Sequence, residues 1–244
     1  MHYIFPLITI FLSCQSQSYP ATTDNSVQGQ NTENLEIIDG KIVKYFGYDI
    51  SHLDDFVVGE YPFDMEVTKD YALCIAAEYC DLSLVKQMLE DGLDPNVICD
   101  VDHILTNAVF CDDQALDMAQ QFLAKGADIN GADEENNSFL AYPILVDNVE
   151  LVEFILNHGG DPDQRMSEES IGCYPMHDTE SVAMLELLLD RGVDIHTTCH
   201  DGRTLLHQAA KSGAREVYDY ILERELIDPG IQDTVGRVAA DYLR

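Results

Sequence analysis

The side chains in this 244-residue chain that could do chemistry are carboxylates, histidines and cysteines. Asp112-Asp113, with Asp178 further on, are the residue types that could close on a divalent cation. The run Asp133-Glu134-Glu135-Asn136-Asn137 has the acidity of a calcium loop but neither its ligand spacing nor its central glycine. Six cysteines beyond the amino terminus, Cys74, Cys80, Cys99, Cys111, Cys173 and Cys199, form no Cys-x-x-Cys and no Cys/His quartet at zinc spacing. Disulfides and buried thiols are both open to them. There is no glycine-rich phosphate loop, no His-Glu-x-x-His and no Gly-x-Ser-x-Gly. The chain is therefore expected to work without catalytic residues, bound metal or cofactor, and to act through its surface.

The elements that must carry such a surface are written four times in one phrase. Leu89-Glu90-Asp91-Gly92-Leu93-Asp94-Pro95-Asn96 recurs as Leu123 to Asn130, Leu156 to Asp163 and Leu189 to His196, with the glycines 34, 33 and 33 residues apart. A fixed period of this length belongs to a stacked array rather than to one globular core. Each phrase closes a unit of two short helical patterns. In the first, Tyr71 to Ala77 opens a helix and Leu84 to Leu89 forms a second with an apolar stripe at helical spacing, which Gly92 is placed to end in the left-handed conformation. Upstream, Asp39-Gly40 stands between two β-prone runs, a type I′ hairpin signal, and Ser51 to Val58 has the caps of one helical turn. Such a segment would cover the open stacking face of the first unit.

The fifth unit is the clearest, and here the chain resembles the ankyrin repeat family. Asp201-Gly202, Thr204, Leu206-His207 and Ala209-Ala210 match the family's D-G-x-T-P-L-H-x-A-A opening, and Gly126-Ala127-Asp128-Ile129-Asn130 matches its G-A-D-V-N close. The resemblance implies a mainly α fold, an ankyrin-repeat solenoid of about five helix-turn-helix units with β-hairpin loops, capped by a small hairpin-containing amino-terminal segment. The repeats occupy 69–244, as units 69–98, 99–132, 133–165, 166–198 and 199–232 with a carboxy-terminal cap at 233–244; the amino-terminal cap is 35–68. His177 and His207 fall where the family places a histidine that bonds between repeats, a structural role.

The units are not uniform. From the opening apolar residue to the glycine is 19 residues in the first and third units, 21 in the second and 16 in the fourth. The additions lie near Cys111-Asp112-Asp113, and the loss shortens the first helix around Asp178-Thr179-Glu180. Glu225 stands where the fifth unit should have its glycine, so that boundary is expected to be distorted.

The amino terminus reads as a targeting segment. Tyr3 to Ser13 is apolar but too short to cross a bilayer, and it ends at Cys14. Phe11-Leu12-Ser13-Cys14 resembles a bacterial lipobox, which implies lipidation of Cys14, while Gln15 favours the outer membrane. Residues 1–14 are thus read as an export signal ending at a lipidated Cys14, with an ordinary cleaved signal and a buried structural segment as the alternatives, and the Ser/Gln/Thr/Asn-rich 15–34 as a flexible linker. The expected location is the periplasm, as an outer-membrane lipoprotein facing it. In that oxidising compartment Cys80 with Cys111, near the ends of equivalent helices, and Cys173 with Cys199, in consecutive loops, are the first pairings to consider.

Charge narrows the partners. The net charge is −32, and residues 35–202 hold 36 acidic against 7 basic side chains, whereas 203–244 hold 7 against 6. Nucleic acid and an anionic membrane surface would be repelled, leaving a lipid anchor as the membrane contact and a basic protein as the partner, with the free chain a monomer. Ankyrin arrays bind with their hairpin loops and the exposed face of each first helix. On this sequence the loops offer Asp100, Asp102, Asp133, Glu134, Glu135, Asp163, Glu168 and Glu169, and the helix faces Glu78, Tyr79, Asp112, Asp113, Tyr142 and Asp178. Tyrosines would anchor and carboxylates would steer and select. The resemblance to small acidic exported immunity proteins implies inhibition of an antibacterial toxin; the alternative is an envelope stress protein that organises an enzyme such as one of peroxide defence.

Overall fold

In the computed structural model of the chain, the described residues are 35–38, 41–45, 47–50, 69–99, 102–133, 138–164 and 173–243. Strands β1 (Leu35–Ile38) and β2 (Lys41–Tyr45) pair antiparallel with Ile38 opposite Lys41, as the intervening Asp39-Gly40 demands. The two turn residues and the expected helical turn at 51–58 lie outside the described residues. A third strand, β3 (Tyr48–Asp49), pairs with β2. Tyr48 and Ile50 join the buried core, and the Tyr48 hydroxyl donates to Asp91 Oδ2 at 3.1 Å.

Nine α-helices follow among the described residues. They are α1 (Lys69–Glu78) and α2 (Leu82–Glu90), α3 (Ile104–Val109) and α4 (Ala115–Ala124), α5 (Ala141–Leu145) and α6 (Val149–Asn157), α7 (Val182–Asp190), and α8 (Leu205–Ser212) with α9 (Arg215–Glu223). The fourth unit has a 3-10 turn, Pro175–Asp178, in place of a first α-helix, so three fewer residues there cost a full turn of helix. The added residues of the second unit form a 3-10 turn, Asp112–Gln114, ahead of α4.

First helices stack on first helices, α1 on α3 and α3 on α5, and the row continues through Pro175–Asp178 to α8 and a terminal 3-10 turn, Ala239–Tyr242. Second helices form the other row, α2, α4, α6, α7 and α9. Ala76, Ala77, Ala108, Ala209 and Ala210 are buried where the rows meet, because small side chains let helices approach. Between them Leu73, Met88, Leu105, Phe122, Ile144, Leu151, Leu185 and Leu206 fill one core, each contributing roughly 1.5–3 kcal/mol by leaving water.

Caps and turns explain why so short a helix starts and stops where it does. Asp81, Asn148 and Ser181 accept from the N–H groups of Leu84, Leu151 and Met184 at the starts of α2, α6 and α7. At the ends, Gly92, Gly126, Gly159 and Gly192 have φ of +90°, +96°, +92° and +84°. This lets the next N–H return to the helix, as in Leu93 N to Met88 O at 3.2 Å and Val193 N to Leu188 O at 3.2 Å.

The fifth boundary departs from expectation. Glu225 adopts the left-handed conformation, φ +54°, and Leu226 N still reaches Ile221 O at 3.0 Å. The turn is kept intact despite the missing glycine, at a backbone cost on the order of 1–2 kcal/mol. Just past the turn, Leu226 packs against the core and Ile227 is buried in it.

Three disulfides tie the array: Cys74–Cys99, Cys80–Cys111 and Cys173–Cys199, with Cα separations of 5.5, 5.3 and 4.2 Å. Two are the pairings suggested by equivalence of position. The third, Cys74–Cys99, joins the first helix of one unit to the hairpin that opens the next and has no counterpart elsewhere in the repeat.

Candidate partner-binding surface

The hairpins are held to one another by side-chain amides. Asn96 Nδ2 donates to Gly126 O at 3.2 Å while its Oδ1 accepts from Asp128 N at 2.6 Å. Asn130 repeats the pair one unit on, to Gly159 O at 3.1 Å and from Asp161 N at 2.8 Å. At the next boundary the equivalent residue is Asp163, whose carboxylate has no N–H to give to the Gly192 carbonyl. Desolvation, with Asp161 and Asp194 adding repulsion, raises its pKa above the usual carboxylate value. Asp163→Asn is expected to restore the ladder and relieve the crowding, stabilising the protein by about 1 kcal/mol at neutral pH. Urea denaturation at pH 7 checks this; an unchanged or lower midpoint contradicts it.

The two histidines are engaged within the scaffold. His207 Nδ1 accepts from Thr204 N at 3.2 Å and its Nε2 faces the Arg237 carbonyl at 3.2 Å, which selects the tautomer with the proton on Nε2. His177 does the same with Tyr174 N and the Thr197 carbonyl. His103, buried at the start of α3, accepts from Leu105 N, and burial lowers its pKa despite Asp128 and Asp94.

The expected contact residues separate into distinct environments. Glu78 and Tyr79 are exposed at the end of α1, and Asp112 and Asp113 are exposed on the added 3-10 turn. Asp102 lies in strand β5 (Asp102–His103), paired with β4 (Ile98–Cys99), and Asp163 is exposed between α6 and the fourth unit. Asp100, Glu134, Glu135, Glu168, Glu169 and Cys14 lie outside the described residues.

Two residues differ from expectation. Tyr142, assigned to the exposed helix face, is buried within α5, and its hydroxyl donates to Asp133 Oδ2 at 3.0 Å. The short first helix turns that side chain into the hairpin, so Asp133 and Tyr142 brace each other. Asp178 is half-buried; desolvation, with repulsion from Glu180 and against attraction from Lys211, pushes its carboxyl up to about 6. Around pH 6 it is therefore only partly ionised. Asp112 and Asp113 lie on the 3-10 turn of the second unit and Asp178 in the fourth, and among the described residues no three His, Cys, Asp or Glu side chains gather to hold a metal.

The sequence reading missed an apolar patch at the ends of the first helices. Phe110 is 42% exposed, Leu145 38% and Val146 46%. An open cleft of about 560 Å³ is lined by Val109, Phe110 and Asp112 on one side and by Val146 to Glu150 on the other. Alignment could have found it. Leu145-Val146-Asp147 occupy the places of Lys211-Ser212-Gly213 in the fifth unit, and Asp112 and Asp147 take the left-handed φ, +46° and +56°, that Gly213 has there.

Comparison with known proteins agrees with this geometry. Residues 65–166 match the family described as ankyrin repeats (3 copies), and residues 178–222 the one described as ankyrin repeats (many copies). An L-asparaginase of Dirofilaria immitis is 28% identical over 158 residues, covering 63% of this chain and 26% of that protein. The chain thus spans about a quarter of that curated relative.

Proposed function

Because the chain belongs to the ankyrin repeat family, whose repeats form protein-binding modules that are typically not enzymes, we propose that it binds and inhibits a basic protein. In its most specific form it is an immunity protein that neutralises an antibacterial toxin, exported through residues 1–14 and held by a lipid on Cys14 at the outer membrane, facing the periplasm. The observation that carries the basic partner is charge on a binding scaffold: from Ile104 to Gln164 there are 12 Asp and Glu against a lone basic residue, Lys125. Such a surface attracts a basic partner over a Debye length and repels acidic competitors. Occlusion requires no catalytic group. Three disulfides support the export reading, since they persist in oxidising compartments.

The test is direct. Purified protein lacking residues 1–14 is titrated calorimetrically with the product of a neighbouring toxin-like gene, and cells lacking the protein are challenged with the same toxin. One-to-one binding that weakens with salt, together with restored survival on re-expression, is the expected result. Absence of binding and of protection sinks the immunity reading.

A further inference from the structure

We propose that the cleft between the second and third units is an anchor pocket for a partner segment in which an apolar side chain is flanked by Lys or Arg. The proposal rests on the basic-partner reading and names its point of contact. Three features converge. Val109, Phe110, Val146 and Val149 line the cleft beside an equal number of polar residues, and Phe110 and Val146 leave close to half of their surface in water. Such exposure on neighbouring units marks an interaction patch more readily than a scattered residue would. The rim is of one sign: Asp112, Asp147 and Glu150 line it, and the chain has no basic residue between Lys125 and Arg165. An occupant that buries an apolar group here must bring its own positive charge to meet that rim, and an acidic or neutral polar segment would be repelled or leave the carboxylates desolvated.

The cleft is also held in shape. One wall is the added 3-10 turn of the second unit, fastened to the end of the first helix of the preceding unit by Cys80–Cys111. The other contains Asp147, whose Oδ1 accepts from Ser181 Oγ at 2.6 Å, so the fourth unit steadies it. A pre-formed wall spares the ordering cost that weakens loop-mediated binding.

The probe is an acetylated, amidated peptide, Gly-Lys-Arg-Phe-Lys-Arg-Gly, titrated into the isotope-labelled, disulfide-bonded chain and followed by amide correlation spectra at about 150 mM salt, where long-range attraction is screened. Expected are saturable shifts at residues 109–114 and 145–150, at least tenfold weaker when the peptide's Phe is replaced by Gly. Val146→Lys, at an exposed position that leaves the core untouched, should weaken the peptide by at least tenfold, and Val146→Leu should preserve it. Shifts that centre instead on the hairpins, around Asp133 or Asp163, would overturn the cleft while leaving a basic partner standing. Equal response to the Phe and Gly peptides, or no saturable response in the millimolar range, would overturn it too. The basic-partner reading itself stands or falls on the toxin titration.

Discussion

Replacing Cys80 and Cys111 together by alanine is expected to lower the unfolding free energy by about 3–4 kcal/mol, from the closure entropy of a loop of roughly 30 residues. The pair joins the turn after α1 to the turn after α3, spanning 31 residues of sequence. Without it the unfolded chain regains the freedom of that loop, while the folded stack keeps Cys74–Cys99 as its one remaining disulfide between the first two units. An array of repeats is held chiefly by nearest-neighbour interfaces, so the loss should appear first as opening of α1 and α2 rather than as uniform softening. Guanidinium denaturation with hydrogen exchange measures both parts. A loss below about 1 kcal/mol would mean that the bond closes a loop already ordered when unfolded. Cys74–Cys99, spanning 25 residues, and Cys173–Cys199, spanning 26, give similar expectations. Full reduction should therefore do more than any single replacement.

Asp178→Asn is expected to stabilise the protein by about 2 kcal/mol at pH 7.5 and to change little at pH 3.5, because the fold pushes this carboxyl up to about 6. Burial of the charged form is the principal cause, Glu180 adds to it, and Lys211 opposes it in part. The unfolded value is 3.8 and the folded one about 6, so between those pH values the folded state holds the extra proton. Stability from this group is thus highest below pH 4 and falls as pH rises through 6, the reverse of a salt-bridged carboxylate. Asparagine never ionises, so the advantage of the variant should grow across that window and level off above it. Urea midpoints at intervals from pH 3.5 to 7.5, compared between the two proteins, are the measurement. A difference independent of pH would contradict this origin. The same shift bears on binding: a partner that needs the Asp178 charge should bind more weakly as pH falls through 6.

How far such features could be read in advance depended on the range of the interaction that makes them. The left-handed glycines Gly92, Gly126, Gly159 and Gly192 are decided within a few residues, and so are the apolar stripes of α2, α6 and α7. These are repeated signals, and repetition made them legible. Irregular units were legible as counts: the surplus near Cys111 became a 3-10 turn, and the deficit near Asp178 removed an α-helix.

The surface was less legible, because exposure is a property of neighbours. Tyr142 looked like a helix-face anchor, yet the third unit's short helix buries it against Asp133. Phe110, Leu145 and Val146 drew no notice in the sequence, yet they stand exposed where the fifth unit places Lys211 and Ser212. Glu225 looked like a broken turn, yet it takes the left-handed conformation, and Leu226 and Ile227 pack just past it. The sequence by itself determined the repeat, its helix boundaries and the sign of the charge, since each follows from contacts local along the chain or from composition. Only the tertiary structure decided which cysteines meet, which carboxyl has its pKa raised and which apolar side chains face water, because each depends on the unit stacked alongside.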